Sequence, residues 1–146
     1  MTEKEVEKIK QLEQMVSQLQ LNLNVLLMSG ISFLKRNNLS VEDWANYFGE
    51  ITSSTWVDGL NLEQVANNIA NRLVLIGAKL ISIEHDKDKA KITIDEWPKI
   101  SWLALAQITL SDFERYYNMW KPVARKQNLK YSWKKDGSKI ILLLEK

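Results

Sequence analysis

Residues 1–29 contain neither proline nor glycine, and their apolar side chains recur at alternating spacings of three and four. This spacing is typical of the a and d positions of a coiled-coil heptad. The a and d residues, termed the seam, are Ile9, Leu12, Val16, Leu19, Leu23 and Leu26. The pattern predicts one long helix over residues 1–36 that continues into the rest of the protein.

A second pattern overlaps the seam, because apolar and polar residues alternate from Leu19 to Val25 as in a half-buried strand. A strand of this length without turn residues would be abnormal, so the helix is favoured. Leu21 and Val25 then lie off the seam, which makes the second half of the helix apolar on more than one side. We expect that half to be buried against the globular body.

The seam of the first half needs an apolar partner. The helix would be roughly 50 Å long, whereas a globule of the remaining residues would be roughly 30–35 Å across. Its first turns should therefore extend beyond the body. Ile9 and Val16 at a, with leucine at d, favour a parallel two-stranded coiled coil, with Lys8 at g complementary to Glu13 at e. The alternative is that the helix folds back onto its own domain.

Residues 37–146 carry three helix starts that follow capping rules. Ser40 is a predicted N-cap, and Asn61 with Gln64 forms a predicted capping box. A third capping box is predicted from Ser111 and Glu114. These signals predict three helices in the body of the protein, with a further short apolar helical segment before the third.

Alternating apolar residues on both sides of Lys87-Asp88 predict a β-hairpin with one buried face. The expected cross-strand pairs are Ile83 with Ile92, Ile81 with Ile94, Ser82 with Thr93, and Glu84 with Lys91.

A second hairpin is predicted at Asp136-Gly137, the strongest two-residue turn signal in the chain. It would place Trp133 opposite Ile140, and Tyr131 opposite Leu142. Residues 140–144 are apolar at every position, which predicts a central strand that is buried on both faces.

Together these elements predict an α+β fold. The long coiled-coil-like helix and the further helices would pack on one face of a four-stranded antiparallel sheet made of two hairpins. The oligomerisation helix, residues 1–36, is expected to be continuous with an α+β globular domain at residues 37–146.

Few residues are suited to catalysis or metal binding. The chain has no cysteine, which excludes disulfides, thiolate nucleophiles and cysteine-based metal sites. The single histidine, His85, lies in an acidic turn without further ligands at useful spacing. No phosphate-binding loop, zinc-protease motif or nucleophile elbow is present. We therefore expect no catalytic residue, no metal and no cofactor.

The sequence begins with charged residues and has no apolar run long enough to cross a bilayer. These features predict a cytoplasmic protein without a secretory signal or a membrane partner.

Two binding hypotheses arise from the aromatic residues. Three of the six tryptophans lie in or beside predicted connections, where they would bound a pocket for a small apolar ligand. These pocket candidates are Trp56, Trp97 and Trp102.

The second hypothesis concerns residues 111–139, which hold eight basic and three acidic residues interleaved with aromatic ones. Such a segment suits phosphate contacts and base stacking. Its candidate contacts are Arg115, Lys121, Arg125, Lys126, Lys130, Lys134 and Lys135. Residues 41–96 also follow the element order of a winged helix, although the helix in the recognition position offers only Arg72.

The preferred hypothesis is a non-enzymatic, homo-oligomeric module, in the simplest case a dimer, that binds a partner protein or a small apolar ligand. The alternative is a nucleic-acid-binding protein that uses its basic and aromatic C-terminal segment.

Overall fold

The computed structural model describes all residues from Met1 to Lys146. The α-helices are α1 (Glu3–Arg36), α2 (Val41–Ser54), α3 (Leu62–Leu75), α4 (Ile100–Ala106), α5 (Leu110–Glu114) and α6 (Trp120–Lys126). The strands are β1 (Lys79–His85), β2 (Lys89–Asp95), β3 (Lys130–Asp136) and β4 (Lys139–Glu145). A 3₁₀ segment, Arg115–Met119, joins α5 to α6.

The four strands form one antiparallel sheet in the order β1-β2-β4-β3, so the two hairpins meet through β2 and β4. Helix α3 packs on β1 and β2, and α6 packs on β3. Helix α2 covers α6 and the 3₁₀ segment. The protein therefore has the predicted α+β fold, with helices on one face of the sheet and β4 as a central strand.

The first hairpin has most of the predicted register. Ile83 pairs with Ile92, Ser82 with Thr93, and Glu84 with Lys91. The predicted pairing of Ile81 with Ile94 is wrong, because a β-bulge lies between Leu80 and Ser82 and Ile94 pairs with Leu80. A bulge places two residues of one strand opposite one residue of the other, which no alternation pattern reveals.

The second hairpin turns one residue later than predicted. Asp136 pairs with Lys139, so the turn consists of Gly137 and Ser138. Gly137 has a positive φ of 61° at the first turn position, the arrangement of a type II′ turn. As a result Trp133 pairs with Leu142 and Tyr131 with Leu144, not with Ile140 and Leu142 as predicted. The shift of two residues keeps both aromatic side chains on the inner face of the sheet.

The helix starts follow the predicted caps at two of three positions. The Ser40 hydroxyl accepts a hydrogen bond from the Asp43 amide, and Asn61 and Gln64 form the full capping box. The predicted box at Ser111 and Glu114 is wrong, because Thr109 and Asp112 form the box instead. Ser111 is therefore inside the first turn of α5.

Helix α1 is attached to the body through one buried stripe, which consists of Asn24, Met28 and Ile31. The Asn24 side chain donates to the carbonyls of Gln20 and Ile76, at 2.7 Å each, and accepts from Trp97 Nε1 at 2.8 Å. A buried amide that satisfies its donors and its acceptor in this way fixes the rotation of α1 about its own axis.

Candidate functional site: two exposed faces of the N-terminal helix

The seam of α1 lies outside the core over its whole length. Its six residues are between 42 and 70% exposed, with Leu26 the most exposed. Every residue from Glu3 to Leu19 is exposed, and none forms a hydrogen bond or ion pair with the body. This part of α1 is about 25 Å long at 1.5 Å per residue. The seam does not fold back onto the domain, which was the alternative considered from the sequence.

The first turn of α1 is nevertheless well defined. Thr2 and Glu5 form a capping box, in which the Thr2 amide donates to the Glu5 carboxylate at 2.7 Å. Hydrogen bonds from the Thr2 backbone and hydroxyl lower the pKa of Glu5. Glu3 and Glu5 in the first turn, with Lys35 and Arg36 in the last, also suit the helix dipole.

The seam meets α2 at its C-terminal end. A methyl group added at Gly30 would lie 3.9 Å from the Trp44 ring, and Trp44 stacks on Phe48 with ring centroids 5.8 Å apart. Tyr47 and Ile51 are exposed on the same helix. Beyond Leu26, the last residue of the seam, α1 therefore meets the aromatic residues of α2.

The second half of α1 is less buried than expected. Leu21 and Val25 are 41% and 59% exposed, because α4 stands beside α1 without covering it. Between α1 and α4 lies a groove of about 530 Å³, termed the α1–α4 groove. Its lining residues are Leu21, Asn24, Val25, Met28, Ser29, Ser32, Phe33, Arg36, Trp102, Leu105 and Ala106.

The C-terminal end of this groove contains the only charged residue in its lining, Arg36. Arg36 Nη2 donates to Gln107 Oε1 at 2.9 Å, and no carboxylate lies within ion-pair distance of the guanidinium. The neighbouring Lys35 is paired with Asp112 at 2.6 Å. Burial opposes ionisation of Asp112, but hydrogen bonds from Lys35 and Thr109 outweigh it and lower its pKa to about 2.

The three candidate pocket tryptophans do not share a cavity. Trp56 lines a small polar cavity beside α3, and Trp97 lines a cavity between α5 and the second hairpin. Trp102 lines the α1–α4 groove. Trp56 and Trp97 are buried, with Trp97 packed edge to face against Phe113 at 4.9 Å. A single pocket bounded by all three is therefore not formed.

The candidate nucleic-acid contacts are also divided. Lys126 Nζ donates to the carbonyls of Ser53 and Trp56 and lies 3.6 Å from Asp58, so it ties the end of α2 to α6. Lys135 pairs with Glu114 at 3.0 Å. The other five cations are Arg115, Lys121, Arg125, Lys130 and Lys134, and none of them forms an ion pair.

The aromatic residues of that segment pack towards the interior of the protein, which opposes base stacking. Tyr116 is buried, the Tyr131 hydroxyl donates to the Tyr117 carbonyl at 2.7 Å, and Trp133 Nε1 donates to Asn118 at 3.1 Å. Burial raises the pKa values of Tyr116, Tyr117 and Tyr131. Tyr116 and Tyr117 belong to the core between the sheet and the helices, and the half-buried Tyr131 and Trp133 pack against it.

No group of three or more histidine, cysteine, aspartate or glutamate side chains is placed to hold a metal ion. His85 lies 3.5 Å from Glu63, and both are on the surface.

None of the helices combines the length and the apolar character that crossing a membrane requires.

Comparison with known proteins adds no identification: neither the protein-family models nor the curated proteins searched contain a match to this chain. The two exposed faces of α1 are therefore the features on which a functional proposal can be based. Sequence reasoning identified the seam but missed the α1–α4 groove. The only sign of the groove in the sequence is that the apolar residues Leu21 and Val25 lie off the seam. Such residues are expected both where a helix is buried against the body and where it lines a groove.

Proposed function

We propose that the protein is a non-enzymatic, homo-oligomeric module that associates through the seam of α1, and that its body binds a further partner. The observation that carries the proposal is the exposure of all six seam residues on a helix whose first half forms no polar contact with the domain. The simplest assembly is a parallel dimer in which two seams pack together.

Helix energetics support a partner for this segment. Most helical stability in proteins comes from packing of an apolar face and not from intrinsic propensity. Residues Glu3–Leu19 have an apolar face but no packing partner within the chain. Pairing two seams would supply that partner along the full exposed length.

The chemistry of the seam favours a second copy of the chain over an unrelated partner. Ile9 and Val16 at a, with Leu12 and Leu19 at d, match the preference of parallel two-stranded coiled coils. Twelve half-exposed seam side chains would bury on the order of 1,000 Å² in a dimer, near the lower bound for a specific interface. The exposed aromatic residues of α2 follow the seam and would extend the contact.

The test is the molar mass of a doubly substituted protein. We expect Leu12→Glu with Leu19→Glu to convert the protein from a dimer to a 17.0 kDa monomer in light scattering. The matched control is Gln11→Glu with Gln18→Glu, which adds the same charges one residue away from each seam position. The control should remain dimeric. A monomeric wild type at micromolar concentration, or a double variant of unchanged mass, would contradict the proposal.

Nucleic-acid binding is less well supported. Of the rings that would stack on bases, Tyr116 is in the core, and Tyr131 and Trp133 are half-buried against it. Two of the seven candidate cations are neutralised by ion pairs. Arg115, Lys121, Arg125, Lys130 and Lys134 still form no ion pair. Oligonucleotide binding that weakens steeply with salt would favour this alternative.

A further inference from the structure

We propose that the α1–α4 groove binds the hydrocarbon chain of an amphiphilic monocarboxylate, such as a fatty acid, with Arg36 holding the carboxylate. This inference rests on the part of the proposed function that gives the body a binding partner, and it names the site and the class of ligand. It does not depend on the seam, which occupies another face of α1.

The size and lining of the groove suit a chain-like apolar molecule. Its volume of about 530 Å³ lies within the range of about 300–1,000 Å³ that is typical of small-ligand sites. Along α1 the lining extends from Leu21 to Arg36, about 22 Å at 1.5 Å per residue. Val25 of α1 and Leu105 of α4 both line it and are 59% and 84% exposed. Covering them would remove a large apolar surface from water.

The charge distribution selects an anion at one end. Arg36 is the only charged residue in the lining, and no acidic side chain contributes to the groove. One of its donors is used by Gln107, so the guanidinium is positioned while donors remain for a carboxylate. Lys35 cannot take this role without losing its 2.6 Å pair with Asp112.

Two hydroxyl groups add to the polar character of the lining. The Ser32 hydroxyl forms no hydrogen bond within the protein. The Ser29 hydroxyl donates to the Leu26 carbonyl, which leaves the Ser29 oxygen free to accept. A fatty acid ionised to its carboxylate has one anionic headgroup and one apolar chain. These two parts match the single cation, Arg36, and the apolar lining of the α1–α4 groove. A neutral alcohol or a cationic amphiphile lacks the complementary charge.

The test is titration with cis-parinaric acid, a fluorescent fatty acid, below its micelle concentration. We expect saturable binding to the wild type and displacement by dodecanoate. Dodecanol and dodecyltrimethylammonium should displace at least tenfold less well, since a charge-assisted contact to Arg36 would be missing. Arg36→Gln should weaken parinarate binding at least tenfold, a change of about 1.4 kcal/mol. The matched control is Lys35→Gln, which removes an adjacent charge outside the groove and should leave the affinity within about twofold.

A second set of variants locates the site. Val25→Glu places a charge in the groove wall at an exposed position and should abolish binding without affecting the fold. Leu12→Glu with Leu19→Glu should leave binding intact, because it changes the seam alone.

The proposal is overturned by the absence of parinarate binding, by equal displacement with dodecanol, or by an Arg36→Gln affinity equal to that of the wild type. If Val25→Glu changes the molar mass while parinarate fails to bind, the groove is occupied by protein and the proposal is wrong. Since the mass of the seam variant is measured separately, failure of the ligand proposal and failure of the dimer proposal are distinguishable.

Discussion

Asn24 should be the residue on which the attachment of α1 to the body most depends. Its side chain joins three segments, because it contacts its own helix, the carbonyl of Ile76 after α3, and Trp97 before α4. Asn24→Ala removes all three hydrogen bonds at once. The Trp97 indole is then left as a buried donor without a partner, since its only hydrogen bond is the 2.8 Å contact to Asn24.

The expected loss follows from the burial of each partner. An unsatisfied buried donor costs about 1–3 kcal/mol, and the loss of an ordinary hydrogen bond to the partly buried Ile76 carbonyl costs about 0.5–1.5 kcal/mol. The Gln20 carbonyl keeps its backbone helical hydrogen bond, so it adds little. The sum is about 1.5–4.5 kcal/mol, a large part of the ~5–15 kcal/mol that stabilises a typical domain.

The assay is urea denaturation followed by tryptophan fluorescence, at one fixed protein concentration because self-association raises apparent stability. The matched control is Asn22→Ala, two residues away on the same helix, where the exposed side chain contacts only Gln18. The control should change stability by less than about 0.5 kcal/mol. If Asn24→Ala destabilises the protein by no more than Asn22→Ala, the amide does not anchor α1 and this reasoning is refuted.

Two further predictions concern the body and its contact with α1. Gly49→Ala should destabilise the protein by about 3 kcal/mol or more in the same assay, because the added methyl would clash with the Met119 carbonyl oxygen. Gly30→Ala is its control: the nearest atom is 3.9 Å away and the helix should gain about 0.5–1 kcal/mol, so similar losses at both sites would contradict the packing argument. The lowered pKa of Asp112 stabilises the folded state above about pH 3.8, and this contribution should be lost as the pH falls towards about 2. It should amount to less than about 2 kcal/mol since Lys35 is half exposed, and Asp112→Asn should flatten the acid limb of the stability curve; an unchanged limb would refute the assignment.

Much of the fold could be predicted because its signals are local. The caps at Ser40 and Asn61 depend on residues three positions away, and the Glu84–Lys91 pair follows from a single hairpin turn. The β-bulge between Leu80 and Ser82 left no sign in the alternation pattern, and two other errors arose where a local signal had a near equivalent. Asp136-Gly137 and Gly137-Ser138 are both acceptable two-residue turns, and Thr109 lies two residues before Ser111 as an equally good cap.

The candidate site was less predictable, because exposure depends on what packs against a residue. Leu21 and Val25 are as apolar as core residues, yet they line a groove since α4 stops short of covering them. Asparagine is usually found on the protein surface, whereas Asn24 is only 2% exposed. The Arg36 guanidinium at the end of the groove is hydrogen-bonded to Gln107, which lies 71 positions later in the sequence.

The long helix, its seam, the two hairpins and the α+β class follow from the amino-acid sequence, because periodicity, caps and turns act over a few residues. Which face of α1 is buried depends on contacts with segments that are distant in the chain. The stripe of Asn24, Met28 and Ile31 docks on the body, since Asn24 finds partners at Ile76 and Trp97 that are distant in sequence. The seam is left exposed on one side of α1 and the groove is open on another, because the body covers only the stripe of Asn24, Met28 and Ile31.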